Sequence, residues 1–361
     1  MAPVDRPRWS KIEREFSLTL RLARDTFVAM VLNEAEEFTA KVDYDWHSIA
    51  TEYLDDSEKS EILAALRDAG FSSQVYNGER EFISAVIAGK WDSIPFAAKY
   101  AFNTTGSGVG RARTSLIPSF CDLCRIPICS SDGYSSALLE NKFHTFRLLE
   151  VFGLPAPRSY LYERGKGWKD RVPDQMTRII CQPCYESSSI GVDERSIFEY
   201  ETSSDRFLDQ MSAVFRQPLL VQDFISGYEV EVPVFTTPDP ISPTAVGVTL
   251  EETRVLGDRV LTNDRIVKGD YDFYDFAEVD KDISERLKAV SEATYSALGL
   301  SGLVRVDYRV TSSGQIFITD VNTPPHLTAH SSCRFAFDIA GYSHANLMAA
   351  LVTVGRLRSQ S

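Results

Sequence analysis

The amino-acid sequence carries no surplus of positive charge. Its 361 residues include 38 Lys and Arg against 51 Asp and Glu, which gives a formal net charge of −13. Proteins that hold nucleic acid place surplus Lys and Arg against the phosphate backbone, so this balance argues against a nucleic-acid partner. Any smaller phosphate ligand would have to meet positive charge that is gathered at one place.

Long apolar runs and low-complexity tracts are also missing. The longest clean apolar run near the N-terminus, 27–32, is far too short to cross a membrane. Residues 1–16 are dense in charge, unlike a signal peptide. We therefore expect no membrane partner and, by default, a cytoplasmic location. The length is sufficient for two or three domains.

The six cysteines do not follow the usual spacing of a zinc site. Two CxxC pairs occur, Cys121 with Cys124 and Cys181 with Cys184, but the pairs lie much further apart than the two halves of a common zinc site. A structural zinc site stays open as an alternative. Buried free thiols are the favoured interpretation.

Strand and helix patterns alternate in the first hundred residues. Short apolar runs predict strands at 26–33, 71–76 and 96–103, and amphipathic patterns predict helices at 57–69 and 79–88. Such alternation is typical of a parallel sheet with helices on its faces.

Patterns in the remaining chain predict further helices and strands. The sequence shows no internal repeat. One helical pattern runs over 135–152 and ends at Gly153. The other predicted elements are strands at 178–183, 219–224 and 229–235, a Ser-rich turn at 186–191, a helix at 282–298, and a hairpin of 304–310 with 315–321.

This hairpin carries two polar motifs, Arg305-Val-Asp307 and Asp320-Val-Asn322. Alternate residues of a strand point to the same side, so the paired strands place two carboxylates, an amide oxygen and a guanidinium on one surface. Oxygen donors at this density suit Mg²⁺, with Mn²⁺ as an alternative. A solvated hairpin face with chance charge pairs gives the same spacing.

The segment that follows the hairpin, 322–331, has the sequence NTPPHLTAHS. Together with the hairpin motifs it resembles the C-terminal signature of the D-alanine–D-alanine ligases. In that family R-x-D is followed by E-x-N-T-x-P-G and then by T, H and S. Asp320 stands in place of the family's Glu, and His326 in place of its Gly.

Other segments resemble the same family in the same order. Residues 222–229 (QDFISGYE) resemble its adenine-binding hinge, and 182–191 (QPCYESSSIG) resemble its phosphate loop. Residues 137–142 (ALLENK) resemble its A-x-x-x-D-K helix start, and 153–157 (GLPAP) match its G-x-P-x-P. Phe102-Asn103 with Gly106 resembles the strand-end F-N-x-x-x-G of its first domain.

The resemblance implies an α/β protein with the ATP-grasp fold. We expect an N-terminal parallel α/β domain over 1–129, including an N-terminal extension, followed by two α+β subdomains over 130–218 and 219–361 that enclose ATP. It also implies that the carboxylate of one small molecule is phosphorylated by ATP and then attacked by an amine. The resulting ligase would join small amino acids, and a homodimer stays open as its assembly.

The roles that the resemblance implies fall on four groups of residues. ATP would contact Lys142, Gln182, Ser189, Gln222, Ile225 and Glu229, while Asp307, Asp320 and Asn322 would hold Mg²⁺. Arg305 and Ser188 would act in catalysis, and Arg305 and Ser331 would bind substrate carboxylates. His326 either offers an imidazole as a base for the attacking amine or turns outward.

Three departures from the family favour a specialised ligase over the housekeeping one. Gln182 replaces the phosphate-loop lysine. No lysine occurs at 272–280, where the family has another ATP-contacting lysine, although Lys268 is close. His326 replaces the glycine. A non-catalytic nucleotide-binding relative, or an ATP-grasp ligase that uses another nucleophile, are the alternatives.

The substrate-binding Glu of the family's first domain has two candidates. EREFS at 13–17 echoes the family's S-A-E-R-E-V-S, but no strand and Gly-Gly turn precede it. We therefore treat that echo as accidental and place the first strand at 26–33. Glu34, directly after this strand, is then the candidate at the substrate mouth.

Overall fold

The computed structural model describes residues 6–35, 43–237 and 239–359. Its first part contains a three-stranded parallel sheet in the order β2-β1-β3. The elements of this part are α1 (Arg6–Arg21), β1 (Thr26–Leu32), α2 (Asp56–Asp68), β2 (Ser72–Asn77), α3 (Gly78–Ile87), β3 (Ala98–Asn103) and α4 (Leu116–Cys124). The strands and helices predicted for this region are present, with ends that differ by one or two residues.

Helices cover both faces of this parallel sheet. One face packs with residues of α1, α2 and the C-terminal helix in a single apolar cluster, which includes Trp9, Phe16 and Met348. The other face packs with α3 and α4, where Phe82 and Ile117 are fully buried. The EREFS segment therefore lies within α1, on the sheet face that packs with the C-terminal helix.

The second part contains a five-stranded sheet in the order β5-β4-β8-β6-β7. Its elements are α5 (Gly133–Glu140), α6 (Lys142–Val151), β4 (Ser159–Glu163), β5 (Gly167–Trp168), β6 (Arg178–Pro183), β7 (Ile197–Glu199), α7 (Asp205–Phe215) and β8 (Leu219–Asp223). The prediction of one continuous helix over 135–152 is wrong. Asn141 has φ −92° and ψ 84°, outside the helical region, and its side chain caps the second helix by accepting a hydrogen bond from the N–H of His144.

The third part contains a six-stranded antiparallel sheet with the main order β12-β11-β9-β13-β14, and β10 pairs with β9. Its elements are β9 (Tyr228–Thr237), β10 (Asp239–Ile241), β11 (Val246–Thr249), α8 (Asn263–Lys268), β12 (Asp272–Asp275), α9 (Lys281–Ala297), β13 (Val304–Val310), β14 (Ile316–Asn322), α10 (Ser332–Ile339) and α11 (His344–Arg358). The predicted hairpin is the antiparallel pair of β13 and β14.

The two faces of the six-stranded sheet differ completely in chemistry. Val230, Val232, Val304 and Val306 point to one face and are fully buried in an apolar cluster that includes residues of α9. The alternate residues of the same strands point to the other face and are mostly ionisable. We call this second surface the charged face; it consists of Glu229, Glu231, Arg305, Asp307, Arg309, Asp320 and Asn322.

A tight turn at 224–227 connects the second and third sheets. Gly227 has φ +151°, and a Cβ at this position would lie 2.0 Å from the carbonyl oxygen of Val310. Only glycine fits such an approach. The strands that flank the turn, β8 and β9, therefore belong to different sheets and face each other across a cavity.

The cysteines lie in separate parts of this fold. Cys121 is buried beside the parallel sheet and Cys181 within the five-stranded sheet, in two different apolar clusters. Cys184 is also buried, whereas Cys124 is exposed. Among the described residues, no helix is both long and apolar enough to cross a membrane.

Candidate active site

A cavity of about 810 Å³ lies between the five-stranded sheet, the six-stranded sheet and the loops of the first domain. It receives side chains from all three parts of the chain. The residues predicted for the site that line it are Lys142, Gln182, Ser188, Ser189, Gln222, Ile225, Glu229, Arg305, Asp307, Asp320, Asn322, His326 and Ser331. The fold thus brings together residues up to 189 positions apart in the chain, from Lys142 to Ser331.

Glu34 does not reach this cavity. Its carboxylate pairs with Lys59 of α2 at 3.0 Å, and only its neighbour Ala35 contributes to the lining. Glu52, which the sequence reasoning missed, lines the cavity from a short 3₁₀ turn that follows β1. The sequence signal that could have identified Glu52 is its position after the first strand.

The Ser-rich turn at 186–191, hereafter the phosphate loop, has an unusual backbone. Ser188 and Ser189 both have φ +50°, in the left-handed region that side chains other than glycine rarely adopt. Such residues cost about 1–2 kcal/mol each and cluster at ligand sites. The hydroxyl oxygen of Ser188 is buried without a hydrogen-bond partner among the described residues, whereas that of Ser189 donates to the carbonyl oxygen of Leu261 at 2.8 Å.

The chain between β1 and α2 holds the phosphate loop in place. Nδ1 of His47 accepts a hydrogen bond from the N–H of Gly191 at 2.9 Å, and Glu52 accepts one from the N–H of Ser187 at 2.8 Å. These acceptors lie at the two ends of the turn. The N–H groups of Ser188 and Ser189 make no such contact among the described residues, and free N–H groups in a turn of this kind can bind an anion.

A buried guanidinium with three carboxylates supports the same loop. Arg113 contacts Glu52 at 2.6 Å, Glu186 at 3.0 Å and Glu140 at 3.2 Å, and all four side chains are less than a tenth exposed. Burial raises the pKa of Glu140 to about 7, although Arg113 acts in the opposite direction. The cluster contains three carboxylates and one guanidinium. It connects the loop after β1, the end of α5 and the phosphate loop.

Ion pairs organise the charged face. Asp307 accepts two hydrogen bonds from Arg305, at 2.7 and 2.8 Å, and a third from Nδ2 of Asn322 at 2.9 Å. Arg309 pairs with Glu229 at 3.0 Å. Lys142, at the start of α6, donates to Asp320. The break of the helix at Asn141 makes Lys142 the first residue of α6, where it meets β14.

The predicted metal ligands share one surface. Asp307 lies directly opposite Asp320 in the register of β13 and β14, and Arg305 lies opposite Asn322. Burial, together with the neighbouring carboxylates of Glu231 and Asp320, raises the pKa of Asp307 to about 7, although Arg305 acts in the opposite direction. An added divalent cation would offset this crowding of negative charge, so the oxygen donors fit Mg²⁺. No cluster of three His, Cys, Asp or Glu side chains suited to a metal occurs in the described chain.

His326 turns into the cavity and not outward. Its ring lines the cavity beside Pro325 and Leu327. Burial lowers the pKa of His326 below its ordinary value of 6.5, the positive charge of Arg305 lowers it further, and Glu52 raises it. Of the two alternatives for His326, the one in which the side chain turns outward is therefore wrong. Its neutral imidazole is the form that can accept a proton.

Ser331 has a structural role in addition to its predicted one. Its hydroxyl oxygen accepts a hydrogen bond from the N–H of Arg334, which caps α10, and its O–H donates to the carbonyl oxygen of Thr328 at 2.9 Å. A substrate carboxylate at Ser331 would have to take over the second of these bonds.

The structure shows where the segment 272–280, which lacks the family's lysine, lies relative to the cavity. In the segment 272–280, Phe273 lines the cavity, but Phe276 is fully buried in the core beneath the sheet, and Asp275 caps the following turn. The cavity is instead covered by the connection between β11 and β12, which contains α8. Lys268 at the end of α8 lines the cavity with an exposed side chain.

These features define a ligase of the ATP-grasp class, in which two sheets enclose a nucleotide-sized cavity. The family described as "D-ala D-ala ligase C-terminus" matches residues 148–353, more than half of the chain. The chain therefore belongs to this family.

Relatives and solved structures agree with this assignment. The D-alanine–D-alanine ligase of Streptococcus pyogenes serotype M2 is 24% identical over 259 residues, which cover 66% of this chain and 68% of the relative. The ligase of Bacillus anthracis, solved in complex with ATP, has a TM-score of 0.67 at 16% identity and covers 92% of this chain and 98% of its own. That of Coxiella burnetii has a TM-score of 0.63 at 15% identity, with 93% and 96% covered.

Proposed function

We propose that the protein is an ATP-dependent carboxylate–amine ligase that joins two small amino acids and releases ADP and phosphate. One observation carries this proposal. The phosphate loop, the cation of Lys142 and the carboxylates of the β13–β14 hairpin, which are remote in sequence, all face one cavity beside Arg305. These are the groups that phosphoryl transfer to a carboxylate requires.

The nucleotide would lie across the junction of the two sheets. The backbone around Ile225 and the side chain of Gln222 offer polar groups to adenine, and Glu229 offers its carboxylate to the ribose. The N–H groups of Ser188 and Ser189 would donate to phosphate oxygens, since two consecutive left-handed residues expose adjacent donors, and Lys142 of the same cavity would add positive charge. Gln182 faces the same space without a charge.

Asp307, Asp320 and Asn322 would hold Mg²⁺ or Mn²⁺, which neutralises the charge on the phosphates when it is bound. Lys142, which lies beside these residues, also takes part. Lys142, which pairs with Asp320, would exchange this carboxylate for a phosphate oxygen and so leave Asp320 available to the metal. Nucleotide and metal binding are thereby coupled through one ion pair.

The chemistry takes two displacements. A carboxylate oxygen of the first substrate attacks the γ-phosphorus, and the bond from that phosphorus to the ADP oxygen breaks. The amine nitrogen of the second substrate then attacks the acyl carbon, and phosphate leaves with the electron pair of the C–O bond. Arg305 stabilises the oxyanion that forms on the carbonyl oxygen. The neutral imidazole of His326 accepts a proton from the attacking amine.

The substrates of this ligase differ from two D-alanines in our proposal. His326 places a ring where the family has a hydrogen atom, and the ring lies inside the cavity. A pocket reshaped at this point favours another pair of amino acids, which makes the protein a specialised member of its family.

The test is ADP release by the purified protein with ATP, Mg²⁺ and a panel of amino-acid pairs, with products identified by mass spectrometry. We expect little D-alanyl-D-alanine and faster turnover with another pair. Efficient D-alanine dimerisation would refute the specialised role. ATP hydrolysis without any joined product, across the whole panel, would refute the ligase function itself.

A further inference from the structure

The charged face contains one carboxylate more than its ion pairs require. Three carboxylates there have a cation of their own: Asp307 has Arg305, Glu229 has Arg309, and Asp320 has Lys142. Glu231 is the fourth. It lies directly opposite Asp307 in the register of β9 and β13, and it reaches Nη1 of an Arg305 whose Nε and Nη2 already hold Asp307.

Glu231 has an oxygen without a hydrogen bond. The residue is only 4% exposed, and its Oε2 makes no hydrogen bond of good geometry among the described residues, although the hydroxyl of Ser332 lies near the carboxylate. This oxygen lies 3.3 Å from Arg305, close enough for an ion pair but without the geometry of a hydrogen bond. A buried carboxylate oxygen in this condition is costly unless a ligand supplies a donor. Glu231 lines the cavity, so a ligand can reach it.

An aromatic surface lies on the same side of the sheet. Phe273 of β12 is aligned through Val248 with Glu229, two strands away on the charged face. Its ring lies 5.5 Å from that of Tyr271 and 5.4 Å from that of His330, and the rings of Tyr271 and His330 are 4.6 Å apart. We call these three residues the aromatic wall. All three line the cavity.

The negative charge of Glu231 also affects the aromatic wall. Burial raises the pKa of Tyr271 to about 12, and Glu231 is the charged neighbour that raises it most. Glu58 of α2 acts in the same direction. The positive charge of Arg305 acts on Tyr271 in the opposite direction, so a ligand group between Tyr271 and Glu231 has a carboxylate and aromatic rings as its neighbours.

Acidic side chains outnumber basic ones in the lining of the cavity. This is unfavourable for a nucleotide unless another ligand brings positive charge. Its lining contains five basic side chains, Arg113, Lys142, Lys268, Arg305 and Arg309. It contains ten acidic ones, Glu52, Asp55, Glu58, Glu140, Glu186, Asp223, Glu229, Glu231, Asp307 and Asp320. ATP adds further negative charge, and one divalent cation offsets only part of it, whereas an amino acid with an uncharged side chain is a zwitterion and adds no net charge. Positive charge on a substrate would correct the balance.

We infer that one of the two joined molecules carries a cationic side chain, an ammonium or a guanidinium, which binds Glu231 while its hydrocarbon stem lies against the aromatic wall. A buried carboxylate provides the charge-assisted hydrogen bond. Aromatic faces attract the same cation and cover its methylene groups. This inference names the substrate class of the ligase proposed above and rests on that function.

Equilibrium binding tests the inference without turnover. Calorimetric titration, in the presence of Mg²⁺ and a non-hydrolysable ATP analogue, compares arginine with citrulline and lysine with norleucine, in both L and D forms. Each pair has nearly the same shape and differs in charge. We expect the cationic member of at least one pair to bind at least about tenfold more tightly. Equal affinities, or no binding of any cationic amino acid, would overturn the assignment.

Two variants show whether Glu231 carries the preference. Glu231→Gln keeps the shape and removes the charge, so the preference for the cationic member should vanish while the neutral member binds as before. Glu278→Gln changes an exposed carboxylate that pairs with Arg254 outside the cavity, and it should leave the preference intact. A Glu231→Gln protein that loses affinity for charged and neutral amino acids alike would contradict a role in side-chain recognition.

Turnover separates this inference from the proposed function. If ADP is released with neutral pairs and Glu231→Gln changes nothing, the ligase function stands and the substrate assignment is wrong. If cationic amino acids bind through Glu231 but no pair gives a joined product, the binding site stands and the ligase function is wrong. Faster ADP release with the cationic member, lost in Glu231→Gln, supports both.

Discussion

Lys142 and Asp320 form an ion pair although they are 178 residues apart in the chain. The lysine begins α6 and the aspartate lies on β14, so the pair joins the five-stranded part of the fold to the six-stranded sheet. One partner is the phosphate-directed cation of the proposed site and the other is one of its metal ligands. Because each neutralises the other, a ligand that engages one must release its partner.

The first prediction concerns the binding of ATP. Lys142→Ala should raise the KM for ATP at least about tenfold, because a charge-assisted hydrogen bond of about 1.5–3 kcal/mol is lost. Gln182→Ala should have a much smaller effect, since Gln182 is uncharged. Gln182→Lys should lower the KM, because it adds a cation to an acidic cavity. Initial rates of ADP release against ATP concentration measure all three, and equal effects of the two alanine variants would contradict the assignment.

The second prediction concerns the pH dependence of metal binding. The pKa of Asp307 is raised to about 7, so a proton and the metal compete for this carboxylate below that pH. The affinity for Mn²⁺ should increase, by up to about tenfold per pH unit, as the pH rises from 6 to 7, and should level off above 7. Titration followed by Mn²⁺ electron paramagnetic resonance measures it. In Asp307→Asn this dependence should disappear, and a flat profile in the unchanged protein would exclude the competition.

The third prediction concerns proton transfer at His326. Its pKa lies below the ordinary 6.5, so the imidazole is neutral and able to accept a proton through the neutral pH range. The rate kcat should fall only as the pH drops through this lowered pKa. His326→Gln keeps a similar volume and should reduce kcat by about 10²- to 10⁴-fold, with the acidic limb of the pH profile lost. A variant with an unchanged limb would show that another group accepts the proton.

The fourth prediction concerns the stability of the buried cluster around Arg113. Arg113→Met should lower the free energy of unfolding by about 3–5 kcal/mol, because three buried carboxylates lose their cation. The folded-state pKa of Glu140, about 7, lies above its ordinary value of 4.5, so this group contributes stability at low pH that is lost as the pH rises between those values. The loss caused by Arg113→Met should therefore be larger at pH 8 than at pH 5.5.

Thermal unfolding of the two proteins at both pH values checks this result. Arg147→Met provides a matched control, because Arg147 pairs with Glu150 on an exposed part of α6 and should change the unfolding temperature little at either pH. Equal destabilisation by Arg113→Met at pH 5.5 and pH 8 would contradict the role assigned to the carboxylates.

Local patterns in the sequence determined much of this structure. Apolar runs and helix signals located the strands and helices of the parallel sheet, since those signals act within a few residues. Period-two spacing placed Arg305 with Asp307, and Asp320 with Asn322, on one face, because side chains alternate along any strand. The family signature then indicated the other side chains that line the cavity, from Lys142 to Ser331.

Only the tertiary structure decided how the remaining charges pair. Glu34 follows β1 in sequence, yet Lys59 holds it away from the cavity, while Glu52 reaches the phosphate loop. The direction of His326 and the Glu231 oxygen that makes no hydrogen bond also depend on neighbours that are remote in the chain. The physical reason is that burial and the field of distant charges fix what an ionisable side chain does, and neither is written in its local sequence.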